Sequence, residues 1–156
     1  NGALEVGSNG ELKGYKTSLW EGGIRVPAIA WHPQKISPGI VSESLLASMD
    51  VLPTLLSFAG IETDLQFDGE DFSNALFNKG KMPDRPLFWR YRNQWAVRKG
   101  DWKYLKIRNE EYLFNLKNDI SEPTDVKNEF PEIFQSLKAD LHNWEIEMNN
   151  YQQKTN

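Results

Sequence analysis

A short stretch near the start of the chain gathers residue types that bind anions. Between residues 12 and 27, Lys13 and Lys16 lie beside three glycines, and Glu21 and Arg25 follow. Glycine lets the backbone come close to a ligand, and lysine brings a compact positive charge suited to a tetrahedral oxyanion. The apolar run 24–31 then has the length of a buried strand. The pattern predicts an anion site, and the alternative is a solvated glycine loop that binds nothing.

Glu21 and Arg25 carry opposite charges within the same stretch. They could pair with each other or with other parts of the loop. Because a buried charge needs a partner of opposite sign, we interpret them as a buried pair that fixes the loop.

The stretch resembles the sulfatase family, within the alkaline phosphatase superfamily. The family pattern is Asn-Gly, a variable loop, and then Leu-(Arg/Lys)-Gly-x-Lys-x-x-x-(Trp/Tyr)-Glu-Gly-Gly-x-Arg-x-Pro. This chain reads Asn1-Gly2, Leu12-Lys13-Gly14-Tyr15-Lys16 and Trp20-Glu21-Gly22-Gly23-Ile24-Arg25-Val26-Pro27. The resemblance continues to the end of the chain, and we expect the earlier and larger part of the family to precede residue 1.

The resemblance implies roles for three residues. Asn1 corresponds to an asparagine that lends an oxygen to calcium, a hard cation that prefers oxygen ligands. Lys16 corresponds to the lysine that contacts the substrate sulfate, where charge-assisted hydrogen bonds to developing anionic oxygens lower a hydrolytic barrier. Lys13 stands where relatives often have arginine, and it either contacts the ligand or shapes the loop. The alternative roles are an unoccupied terminal loop residue for Asn1 and a solvated lysine for Lys16.

The nucleophile motif of the family is not found in these 156 residues. Sulfatases use a formylglycine made from the first residue of Cys/Ser-x-Pro-x-Arg, but this chain has no cysteine, and its Ser-Glu-Pro-Thr-Asp segment at 121–125 ends in aspartate. We therefore expect no catalytic residue in this chain and no turnover by this chain alone. The resemblance implies a sulfatase of sulfated small molecules or carbohydrates, with calcium, in a periplasmic, secreted or lysosomal location. The alternatives are a phosphonate or phosphodiester hydrolase of the same superfamily and a catalytically inactive binding module.

The bulk composition excludes several classes of protein. Lys and Arg total 18 against 22 Asp and Glu, and this mild acidity argues against a nucleic-acid partner. The absence of cysteine excludes disulfides and thiolate metal sites. No apolar run is long enough to span a bilayer, so no membrane partner is expected.

The apolar run 24–31 is apolar on both faces apart from Arg25, which is typical of a strand inside a parallel sheet. Neighbouring segments offer no equally apolar partner, so we expect its partner strands upstream of residue 1. Its unpaired edge and apolar face predict self-association of this chain. A helix is predicted over residues 50–59, with Asp50 as N-cap, one buried apolar face and Gly60 at its end.

Four short aromatic-rich runs follow, at 87–91, 94–98, 102–107 and 112–116, and turn residues between them predict antiparallel hairpins. Alternation of apolar and charged residues over 102–107 predicts one solvent-facing side. A last helix is predicted from Pro131, with an apolar stripe that covers one face of the sheet. The predicted fold class is α/β, or α+β within this chain. Residues 1–85 would end an alkaline-phosphatase-like α/β sheet domain, and residues 86–156 would form a small antiparallel four-stranded sheet with a C-terminal helix.

Overall fold

Four strands form one antiparallel sheet in the computed structural model, which describes residues 7–77, 80, 82 and 84–155, with side chains up to residue 151. The strands are β1 (Pro86–Tyr91), β2 (Gln94–Lys99), β3 (Trp102–Ile107) and β4 (Glu110–Asn115), and they lie side by side in chain order. Each pair is antiparallel and joined by a two-residue turn, so that the sheet is a simple meander. The predicted hairpins are confirmed, with strand ends displaced by at most two residues.

One face of the sheet is covered by a long helix, α4 (Pro131–Thr155). Leu137 and Leu141 are each 3% exposed and pack against the fully buried Val97 and Leu113. The stripe predicted from helical spacing therefore packs on the sheet. Its remaining members, which are partly buried against the same cluster, are Ile133, Phe134 and Trp144.

The opposite face of the sheet is covered by the chain segment that precedes residue 26. This segment ends in one helical turn, α1 (Glu21–Ile24), and it buries Leu19 against Ala96, Leu105 and Phe114. The solvent-facing side that alternation predicted for β3 is therefore wrong. Lys103 of β3 is fully buried on this face because the segment brings a compensating charge, which is described below, whereas Lys106 is half-buried.

The strand predicted over 24–31 is also wrong. Ile24 ends α1, and the residues that follow have no regular structure. Val26, Ile29 and Trp31 are 57%, 95% and 80% exposed. A strand needs neighbours that satisfy its backbone groups, and none pairs with this run among the described residues. Self-association of the chain stays a prediction.

Residues 27–84 form a second compact unit. It contains a 3₁₀ turn (Ser48–Asp50) and two helices, α2 (Val51–Ala59) and α3 (Ser73–Phe77). Gly60 ends α2 in a left-handed conformation with φ of 68°, as predicted. The predicted buried face of this helix is wrong here, because Leu52 and Leu55 are more than half exposed.

Asp50 does not cap α2 with its side chain, which differs from the prediction. The carboxylate is fully buried and accepts hydrogen bonds from the backbone N–H groups of Ala47 (2.7 Å) and Glu70 (2.9 Å). Thr54, also buried, donates to the Asp50 carbonyl oxygen at 2.7 Å and accepts from the N–H of Phe72 at 3.0 Å. These bonds tie the loop before α3 to α2.

The first compact unit combines the described residues up to Val26 with those from Arg85 onward. The glycine-rich segment therefore belongs to the same unit as the sheet within this chain. The assignment of residues 1–85 to the large domain of a complete sulfatase stays a prediction. No helix in the described part of the chain is long and apolar enough to cross a membrane.

Candidate functional site

Lys16 lies in a tight turn formed by residues 15–18. The backbone N–H of Ser18 donates to the Tyr15 carbonyl oxygen at 3.0 Å, and the Ser18 hydroxyl donates to the same oxygen at 2.8 Å. Thr17 has φ of 80°, a left-handed conformation that a β-branched residue rarely adopts. The Lys16 side chain is exposed and has no ion pair or hydrogen bond to the described residues. Its ammonium group is thus free to meet a ligand.

Gln94, the first residue of β2, attaches this turn to the sheet. Its Nε2 donates to the Thr17 carbonyl oxygen at 3.2 Å, and its Oε1 accepts from the N–H of Leu19 at 3.0 Å. One side-chain amide therefore holds the backbone directly after Lys16 at two points. Sequence reasoning missed Gln94, because a glutamine at the start of a strand carries no signal of a partner so far along the chain.

Close contacts with the backbone explain why position 23, just after the turn, is a glycine. A Cβ atom on Gly23 would lie 2.1 Å from the carbonyl oxygen of Ser18 and 2.6 Å from that of Tyr15. Both distances are far inside van der Waals contact, and the neighbours are backbone atoms of the Lys16 turn. Gly23 thus allows α1 to pack directly under the turn.

A buried ion cluster holds α1 against the sheet. Lys103 Nζ lies 2.9 Å from Glu21 Oε1 and 2.7 Å from Glu122 Oε1, and all three side chains are at most 1% exposed. The second oxygen of Glu122 accepts a hydrogen bond from the backbone N–H of Glu21 at 2.7 Å. One lysine from β3 thus links α1 to the loop that follows β4.

Two arginines complete the charge balance around Glu21. Arg98 Nη1 lies 3.3 Å from Glu21 Oε2, and Arg25 Nη1 lies 3.7 Å from the same oxygen. The predicted pairing of Glu21 with Arg25 is therefore present, but it is not a buried pair, because the Arg25 side chain is 41% exposed. The fully buried partner of Glu21 is Lys103. Burial lowers the pKa of Arg98, although Glu21 opposes this. Burial also raises the pKa of Glu122, although Lys103 opposes this.

Lys13 differs from Lys16 in its contacts. Its Nζ lies 3.8 Å from the centroid of the Trp20 ring and 3.4 Å from the Glu122 carbonyl oxygen, to which it donates. A cation over an aromatic face is attracted by the ring quadrupole. These contacts hold the Lys13 side chain against its own loop. Of the two predicted roles of Lys13, they favour shaping the loop over contacting the ligand.

The loop therefore contains both predicted substrate-binding lysines, with one ammonium group engaged and the other exposed. The predicted calcium ligand, Asn1, lies outside the described residues. Within those residues no group of three or more histidine, aspartate or glutamate side chains could hold a metal ion. What the arrangement offers chemically is an immobilised turn that presents one cation, which suits an anionic ligand.

The chain matches a family model described as N-sulphoglucosamine sulphohydrolase, C-terminal, over residues 10–151. The match covers the loop, the second unit, the sheet and nearly all of α4. This chain belongs to that sulfatase family. The Lys16 turn and the buried ion cluster are therefore features of a sulfatase C-terminal portion.

Curated relatives of this sulfatase portion are themselves sulfatases. N-acetylgalactosamine-6-sulfatase of Mus musculus is 44% identical over 103 residues, which are 64% of this chain and 19% of the relative. Arylsulfatase A of Bos taurus is 39% identical over 104 residues, which are 62% of this chain and 20% of the relative. The chain thus spans about a fifth of the length of these relatives.

Two solved structures share the fold of this chain. The protein Ps i-CgsB, in complex with k-i-k-neocarrahexaose, superposes with a TM-score of 0.79 at 29% identity. The likeness covers 85% of this chain and 31% of that one. A second structure, BT4656 in complex with D-glucosamine-2-N,6-O-disulfate, is 22% identical with a TM-score of 0.54 and shares the fold.

Proposed function

We propose that the protein containing this chain hydrolyses sulfate esters of carbohydrates, and that Lys16 holds the sulfate group. The observation that carries this proposal is the Lys16 turn. It presents an exposed cation without a described partner on backbone that Gln94 fixes from the sheet. A preorganised cation aimed at an anionic reacting group stabilises the charge that develops in the transition state.

The carbohydrate part of the proposal is supported by the relatives. One is named for a sulfated amino sugar, and the structure at 29% identity holds an oligosaccharide. The turn itself recognises an anion and carries no selectivity for a sugar. The resemblance also supports a periplasmic, secreted or lysosomal location for the complete protein.

The nucleophile and the metal of the proposed reaction are not assigned to described residues. The family resemblance implies a formylglycine nucleophile in the part of the family that this chain does not match. It also implies calcium with Asn1 as one ligand, and calcium would neutralise the anion. The described residues contain no group that fits a metal ion.

The proposal is tested with the complete protein and the aryl sulfate 4-nitrocatechol sulfate. Lys16→Ala is expected to lower kcat/KM by roughly 10²–10³, because one preorganised charge partner of the reacting group is lost. Lys13→Ala is the matched control and is expected to cost less, since Lys13 is already engaged by Trp20 and the Glu122 carbonyl oxygen. Both proteins should keep the melting temperature of the wild type within a few degrees, because exposed lysines contribute little to stability.

The outcomes separate the competing functions. Hydrolysis of an aryl phosphodiester in preference to the aryl sulfate would support the phosphodiesterase alternative. No turnover of either ester by the complete protein would support a binding module. A larger loss from Lys13→Ala than from Lys16→Ala, with both proteins folded, would contradict the assignment of the sulfate contact to Lys16.

A further inference from the structure

Two of the three hairpin turns of the sheet begin with an arginine in an unfavourable backbone conformation. Arg92 follows β1 with φ of 53°, and Arg108 follows β3 with φ of 55°. Glycine and asparagine are the residues that two-residue hairpin turns usually place at positive φ. A side chain with a Cβ is disfavoured there by on the order of 1 kcal/mol. The sheet therefore contains two arginines in a conformation that is unfavourable for them.

The third hairpin turn provides an internal comparison. It joins β2 to β3, and its first residue, Gly100, has φ of 56°. The three turns thus share nearly the same positive φ at their first residue, but only the turn at the opposite end of the sheet uses glycine. Local backbone preference does not explain the arginines, since the same geometry is available with glycine in the same sheet.

Both arginine turns lie at the end of the sheet that holds Lys16. In a meander of four strands the first and third turns share one end, and the second turn lies at the other end. The N–H of Arg108 donates to the carbonyl oxygen of Asn93 at 2.8 Å, so the two turns are in contact. Gln94 follows Asn93 directly and binds the backbone on either side of Ser18, which brings the Lys16 turn to the same end.

The two turn arginines at this end have no ion-pair partner within the described part of the chain. Arg92 and Arg108 are exposed, and neither forms an ion pair there. The Arg92 guanidinium lies 5.2 Å from the centroid of the Tyr91 ring, which leaves its hydrogen-bond donors available. Glu110 also lies at this end, as the first residue of β4, and accepts a hydrogen bond from the Tyr112 hydroxyl.

We propose that Lys16, Arg92 and Arg108 form one binding surface for the several anionic groups of a polysulfated saccharide. The planar guanidinium of arginine can bind a sulfate with two parallel hydrogen bonds, which a lysine cannot do. This inference rests on the proposed function, because it takes Lys16 to hold one sulfate. It adds that the two turns select ligands with further sulfates.

The test compares Arg92→Gly, Arg108→Gly and the double variant in the complete protein. The ligand is a heparin hexasaccharide, with its chemically desulfated form as a second probe, and affinity is measured by calorimetry. The double variant is expected to lose about tenfold in affinity for the sulfated probe. This loss should be smaller at high salt, because salt screens exposed charges. The same variants should melt at a higher temperature than the wild type, because glycine relieves the left-handed conformation. A residue with only a structural role would not combine weaker binding with greater stability.

The matched control is Lys117→Gln. Lys117 is an exposed cation that follows β4 at the opposite end of the sheet, and its removal should leave the affinity unchanged. An equal loss from the control, equal binding of the desulfated probe, or no binding of the sulfated probe by the wild type would each overturn the inference. A wild-type protein that binds the sulfated probe but hydrolyses no sulfate ester would contradict the proposed function instead.

Discussion

Lys103 Nζ lies 2.7 Å from Glu122 Oε1, and neither side chain has measurable exposure to solvent. The pair joins the central part of the sheet to the loop after β4. With Glu21, whose carboxylate also contacts Lys103, it fixes the position of α1 under the Lys16 turn. Because Glu122 has φ of 56°, its backbone is held in an unfavourable conformation that this contact helps to maintain.

Removal of the shared lysine should therefore be severe. Lys103→Met leaves Glu21 and Glu122 buried without their common partner, and it should destabilise the protein by about 3–5 kcal/mol. Lys99→Met is the control, since Lys99 pairs with Asp140 at 3.7 Å and its side chain is 46% exposed. The control should cost about 0–1 kcal/mol. Chemical denaturation measures the free energy of unfolding of both variants. Equal losses would show that the buried cluster stabilises the protein no more than an exposed ion pair does.

The sheet and α4 could be predicted because their residues carry local patterns. Turn residues separate the aromatic runs, and the stripe of α4 repeats at helical spacing. The buried cluster could not be predicted, because Glu21 and Lys103 are 82 residues apart and a charged residue in a strand normally indicates a solvated face. The predicted strand over 24–31 failed for the opposite reason. Its apolar pattern was clear, but no described strand pairs with it.

The packing under the Lys16 turn predicts that Gly23→Ala is strongly unfavourable. The added methyl group would meet the carbonyl oxygen of Ser18 at 2.1 Å, so the turn or α1 has to move. We expect a loss of about 1–3 kcal/mol in stability and a lower kcat/KM for an aryl sulfate. Gly80→Ala is the control, since its methyl group would find its nearest neighbour at 3.6 Å. Similar melting temperatures and kinetics for the two variants would contradict the described packing.

The loop after β4 predicts a specific response to acid. Asp125 is partly desolvated, which raises its pKa, but its bonds to Lys127 and to the N–H of Leu113 outweigh this, so its pKa lies below the usual 3.8. A carboxyl whose pKa is lower in the folded state stabilises the protein above the unfolded-state pKa. That stabilisation is lost as the pH falls through the folded-state pKa.

Asp125→Asn should therefore be less stable than the wild type at pH 6, and the two proteins should converge as the pH falls below 3.8. Urea denaturation at a series of pH values measures the difference. A gap that widens towards low pH would show that the folded state raises the pKa of this group.

One part of the candidate site could be predicted from the sequence, and the residues that support it could not. The motif that contains Lys16 is local and could be identified from residue types and spacing. Its support could not, because Gln94 and the cluster around Lys103 contribute single side chains from distant strands. A glutamine that binds backbone atoms resembles any other polar residue at a strand end until the fold is known.

Gln94 should act on catalysis only through Lys16. Its amide holds Thr17 and Leu19, and Gln94→Ala should let the turn shift and lower kcat/KM by roughly tenfold, since small misplacements of a catalytic group are costly. In a Lys16→Ala background the same change should cost almost nothing, because there is no longer a cation to position. Gln135→Ala, at an exposed position on α4, is the control and should have no effect in either background. A full additive loss in the double variant would show that Gln94 supports the protein in some way unrelated to Lys16.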